Sequence, residues 1–134
     1  MTKLVEIEGI GETFAGKLQA MGIDTQEQLL SEGSTPAGRN KIISESGLSK
    51  NLVLKWINRA DLARISGIGG EYADLLEVIG VDTVPELAQR NPQNLYEKLV
   101  EVNGQKNLVR KLPGEAQVAT WIEQAKTLPR VINY

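Results

Sequence analysis

Residues 65–69 read Ile65-Ser66-Gly67-Ile68-Gly69, and residues 7–11 read Ile7-Glu8-Gly9-Ile10-Gly11. Each stretch is apolar-x-Gly-apolar-Gly, and each leads into a helical pattern. Two glycines around one apolar residue suit a very tight turn. Glycine reaches positive φ without a Cβ clash and lets backbone approach backbone or a ligand. The apolar residue between them, Ile10 or Ile68, plugs into a core and pins the turn. The helix that follows begins with N–H groups that have no intrahelical partner, which makes it a potential anion site.

Working outward from these turns exposes an internal duplication. At an offset of 58, Ala15, Leu18, Gly22, Asp24, Thr25 and Leu29 fall on Ala73, Leu76, Gly80, Asp82, Thr83 and Leu87. The offset slips to 57 at Lys41 and Gly47, matching Lys98 and Gly104, and becomes 65 where Val53, Trp56, Ile57 and Ala60 match Val118, Trp121, Ile122 and Ala125. The second copy therefore carries about eight extra residues between Gly104 and Val118.

Each copy reads as five short helices. In the first, residues 3–7 lead into the glycine turn, and residues 13–21 follow with Phe14, Ala15, Leu18 and Met21 on one face. Thr25 then reads as an N-cap with Gln28 completing a capping box, repeated as Thr83 and Glu86. Thr35-Pro36 is a cap followed by a residue that needs no N–H, and Asn91-Pro92 plays the same part in the second copy. A looser second turn lies at Gly47-Leu48-Ser49, with Ser49 capping a helix over 50–59, and its counterpart falls at Gly104. Asp61 reads as the cap of the short helix opening the second copy. Residues 105–114 form an inserted loop, residues 115–127 the last helix, and residues 130–134 a tail after Pro129. The domains are thus 1–60 and 61–134, the second holding the insertion and the tail.

A glycine turn between two short helices, followed by a degenerate second turn, resembles the paired helix-hairpin-helix domain of DNA-repair and recombination proteins. The chain as a whole resembles an uncharacterised bacterial family with two such domains in tandem. The resemblance is carried by Trp56-Ile57-Asn58-Arg59-Ala60-Asp61-Leu62, the second glycine turn, Gly80-Val81-Asp82-Thr83, Arg90-Asn91-Pro92, and Trp121-Ile122 through Leu128-Pro129. It implies an all-α fold of two tandem five-helix helix-hairpin-helix (SAM-like) domains. In DNA-binding relatives the amides of the glycine turn hold a backbone phosphate, and Lys or Arg at the start of the next helix adds charge. The hairpin-turn candidates here are Gly9, Ile10, Gly11, Gly67, Ile68 and Gly69.

Those next-helix positions are Glu12-Thr13 and Gly70-Glu71. A carboxylate there repels phosphate and competes for the same amides. The net charge of −2 hides a pattern: −4 over 1–36, +4 over 37–64, −5 over 65–101 and +3 over 102–134. The glycine hairpins are acidic and the second hairpins basic. Lys50, Lys55, Arg59, Lys106, Arg110 and Lys111 are therefore the candidate basic binding surface. Trp56 and Trp121 occupy equivalent places on amphipathic helices, where core packing is the simpler reading and base stacking the alternative. The insertion reads either as a basic binding loop or as a docked loop that fills a gap.

The chain has no cysteine and no histidine, which removes thiolate chemistry, the commonest general base and the commonest metal ligand. Asp24 and Asp82 follow the first hairpins but have no adjacent lysine or other base to complete a catalytic site. No apolar run approaches a membrane span. These features point to a cytoplasmic, non-enzymatic binding module with no cofactor, metal or small-molecule substrate. A protein partner or self-association is favoured. Sequence-independent binding of nucleic-acid backbone, through the glycine turns and the basic second hairpins, is the alternative.

Overall fold

The computed structural model describes Leu4 and residues 10–133. Regular structure among these residues is helical: α1 (Glu12–Gln19), α2 (Gln26–Glu32), α3 (Pro36–Ser46), α4 (Lys50–Leu62), α5 (Gly70–Ile79), α6 (Val84–Ala88), α7 (Pro92–Lys106) and α8 (Glu115–Thr127). The fold is all-α. The chain divides into two compact units, Met1–Asp61 with Val131–Tyr134, and Leu62–Arg130.

In the first unit the polar caps set the helix starts. Thr25 Oγ1 accepts from the Gln28 N–H at 3.1 Å while Gln28 Oε1 accepts from the Thr25 N–H at 3.1 Å. This reciprocal pair satisfies two donors the helix cannot. Thr35 Oγ1 accepts from the Gly38 N–H at 3.1 Å, and Ser49 Oγ accepts from the Leu52 N–H at 3.2 Å. Gly38 is held so close to the preceding helix that an added Cβ would overlap the Glu32 carbonyl oxygen. The apolar faces meet in a core that includes Leu18, Leu29, Ile42, Val53, Trp56 and Ile57.

The second unit repeats this local chemistry in part. Thr83 Oγ1 accepts from the Glu86 N–H at 3.5 Å without the reciprocal side-chain bond of the expected capping box, and Asn91 Oδ1 accepts from the Asn94 N–H at 3.1 Å. Pro85 and Pro92 sit in first turns, where a missing N–H costs nothing. Its core includes Leu75, Leu76, Val81, Leu87, Trp121 and Ile122.

Four details differ from the sequence reading. The second copy presents four helices, not five, and the first shows four among the described residues. The helix expected over residues 3–7 lies, Leu4 apart, outside the described residues. In the second copy no separate opening helix forms, because nothing between Arg59 and Leu62 breaks α4. Asp61 is accordingly inside α4 and buried rather than a cap. Gly104 lies inside α7, and the left-handed residue that ends the helix is Asn107, at φ 56°. Asn tolerates that conformation better than most residues, so the helix runs two residues into the expected insertion. Finally, the tail packs with the first unit rather than the second. Ile132 is 2% exposed in the first core, with Val131 packed against it. The Asn133 N–H donates to the Ser34 carbonyl at 2.7 Å. Burying Ile132, with Val131 partly covered beside it, outweighs proximity in sequence.

Candidate functional site

At the second glycine turn the two glycines do different work. Gly67 has φ 93°, which glycine adopts without strain, and an added Cβ would lie 3.1 Å from Trp121 Nε1. Gly69 is the N-cap of α5 in an ordinary extended conformation, φ −88° and ψ −174°. Between them Ile68 is buried in the second core. One face of α8 closes over the turn. The Ser66 N–H donates to Gln124 Oε1 at 3.1 Å, and Gln124 Nε2 donates to the Ser66 carbonyl at 3.5 Å. Gln117, Trp121 and Gln124 thus form an i, i+4, i+7 stripe against the glycine turn.

Helix α5 starts with no side-chain cap, so its first amides have no partner from the N-cap residue. Glu71 occupies the first turn, and Arg110 Nε lies 3.9 Å from its carboxylate. Arg110 comes from the inserted loop, which is fixed in place on its own unit. Asn103 grips the loop from α7: the Val109 N–H donates to Asn103 Oδ1 at 2.9 Å, and Asn103 Nδ2 donates to the Val109 carbonyl at 3.3 Å. Val109 and Pro113 are buried, and Leu108 and Leu112 pack on the second core. The Tyr72 hydroxyl donates to the Lys111 carbonyl at 3.0 Å, while its ring sits 5.3 Å from that of Trp121. The basic insertion and the acidic start of α5 are therefore one surface. The sequence left this juxtaposition unread, because no repeat counterpart exists for the loop.

The first turn is described in part. Gly9 lies outside the described residues. Ile10 is buried in the first core, Gly11 is the uncapped N-cap of α1, and Glu12 is exposed in the first turn of that helix.

The six basic candidates do not form one set. Lys50 is exposed and lines a groove of about 370 Å³ with Pro36, Arg39, Asn40, Ile43, Val53 and Leu54. Lys55 is exposed, with its ammonium 5.3 Å from the Trp56 ring centroid. Arg59 is 6% exposed and so is withdrawn from any surface. Every residue from Trp56 to Leu62 is buried, so this end of α4 presents no exposed face on which Arg59 could stand. Lys106, Arg110 and Lys111 are exposed together at the end of α7 and on the pinned loop. Both tryptophans are buried, at 4% for Trp56 and 1% for Trp121, which removes them as stacking platforms. Among the described residues no group of three acidic or sulfur or imidazole ligands is placed to hold a metal. No helix among them is long and apolar enough to cross a membrane.

A scan against protein families matches residues 8–128 to a domain of unknown function, DUF4332. The chain belongs to this family. The matched stretch takes in Gly9, Gly11, Gly67 and Gly69, the eight helices among the described residues and the insertion, and ends before the tail. Comparison with curated proteins finds no match, and comparison with solved structures finds none.

Proposed function

We propose that this member of the family is a non-enzymatic module for protein contacts, built from two paired helix-hairpin-helix domains in tandem. The observation that carries the reading is the chemistry at the two uncapped helix starts. Glu12 and Glu71 stand in the first turns of α1 and α5. A phosphate approaching those amides meets a carboxylate that repels it and that the helix dipole already favours in its place. At the second turn Gln124 already takes the Ser66 amide, and Arg110 faces Glu71 rather than standing alone. Mixed charge on a rigid helical surface suits another protein's mixed charge, with orientation set by complementarity.

One observation favours the second reading, binding of nucleic-acid backbone. Lys106 is exposed at the end of α7, and Arg110 and Lys111 are exposed on the loop that follows it, which Asn103 and Tyr72 fix. Titration of duplex DNA and RNA over a range of salt separates the two. The protein reading expects no saturable binding at physiological salt. Tight, sequence-independent binding that weakens steeply with salt, and is lost on charge reversal at Lys106 and Lys111, overturns it.

A further inference from the structure

The first unit is completed by residues that follow α8 of the second. Several contacts hold them. Ile132 is buried in the first core, the Asn133 N–H meets the Ser34 carbonyl at 2.7 Å, and the Arg39 guanidinium donates to both Gly33 O at 2.9 Å and Asn133 O at 2.8 Å. Arg39 thus clasps the tail from the start of α3. Both Asn133 contacts are made to its main chain, and the one deeply buried side chain is a simple branched hydrophobe.

The connector is short. Between the end of α8 at Thr127 and the packed residues 131–133 run only Leu128, Pro129 and Arg130. Leu128 is extended, at φ −87° and ψ 135°. Pro129 fixes the following φ and lacks the N–H needed to resume a helix, and its carbonyl accepts from Arg64 at 2.8 Å. Exchange of an identical element between copies is a low-cost route to dimers, and a short hinge between packed parts invites it. The sequence adds a second pointer: Leu128-Pro129-Arg130-Val131 echoes Leu62-Ala63-Arg64-Ile65, the lead-in to the second glycine turn. The residues that enter the first unit therefore repeat a segment made to open a unit.

We propose that the socket at Ser34, Arg39 and the apolar site around Ile132 takes the same tail from a second copy of this chain, giving a tail-exchanged dimer. The contacts are identical whichever chain supplies the tail, so exchange sacrifices none of them. This names a partner for the protein-binding reading but rests on the tail alone, not on the charged hairpins. A tethered tail meets its own socket at an effective concentration of the order of mM. Exchange is therefore expected when chains refold together near that concentration.

The test starts from the full chain, unfolded in urea, refolded at ~1 mM and sedimented in ~0.5 M salt, where surface ion pairing is screened. The expected result is a dimer fraction that survives the salt. The Ile132→Asp chain should lack it. The Arg39→Ala chain, which loses the clasp but no core atom, should show it reduced several-fold. The chain has no cysteine, so a Ser34→Cys chain refolded with an Asn133→Cys chain should also give a disulfide-linked mixed dimer on oxidation. Monomer alone at high salt overturns the proposal, as does a dimer that persists with Ile132→Asp. Association seen only at low salt would also overturn it, while leaving the protein-binding reading in place.

Discussion

The two glycines of the second turn give a sharp contrast when each is replaced by alanine. At Gly67 the backbone is at φ 93°, where a Cβ costs about 1–2 kcal/mol. The new methyl would also stand 3.1 Å from Nε1 of Trp121, a ring that is 1% exposed and has little room to yield. Overpacking of that kind costs roughly 1–3 kcal/mol. Against these, Gly→Ala restricts the unfolded chain and returns about 0.4–1 kcal/mol. The net loss for Gly67→Ala is therefore about 1–5 kcal/mol, centred near ~3, and the central value lowers Tm on the order of 10–25 °C for a unit of this size. At Gly69 the backbone is extended and nothing lies within 4 Å of an added Cβ. The unfolded-state gain is offset by the poorer N-capping of Ala, so Gly69→Ala should stay within ~0.5 kcal/mol of wild type. Urea unfolding followed by circular dichroism and tryptophan fluorescence measures both. Equal losses at the two positions, or a larger one at Gly69, would refute the assignment of strain and close packing to Gly67.

Trp121→Ala should cost about 3–5 kcal/mol in the same assay, and a loss below ~1 kcal/mol would mean that the ring is not in the core. Asn103→Ala removes both ties to Val109 and should cost ~1–3 kcal/mol by leaving buried groups unpaired; hydrogen exchange at the Val109 amide should accelerate with it. Arg110→Ala should change stability by no more than ~0.5 kcal/mol, because its side chain is 94% exposed and its pairing with Glu71 is screened by water. A larger change in urea midpoint would show that the pair is structural.

The parts of this fold governed by neighbours in sequence were legible. Thr25 with Gln28, Thr35 with Pro36, Thr83, and Asn91 with Pro92 each cap as their residue types dictate, since the partners lie within three residues. The burial of Trp56 and Trp121 followed from their place on amphipathic faces. What stayed hidden depends on contacts across the chain. Nothing near Arg59 in sequence reveals that α4 is buried all round from Trp56 to Leu62, polar Asn58 and Asp61 included. Gly104 carried the expected helix stop, yet Asn107 performs it in the left-handed conformation, and Asn103 reaches forward from the last turn to hold Val109. The grip of Gln124 on Ser66 spans 58 residues, and the clasp of Arg39 on Asn133 spans 94. No local pattern encodes either.

That last separation bears on how the protein is made. A ribosome releases the chain from the amino end, so α1 to α4 emerge well before the residues that finish their core. The second unit's whole sequence, Leu62–Arg130, is out before Ile132 is. The earlier-made half must therefore wait, with the Ile132 site unfilled and Ser34 and Arg39 unclasped, while the later-made half is delivered. The order of completion thus runs opposite to the order of synthesis: the first unit to begin is the last to close.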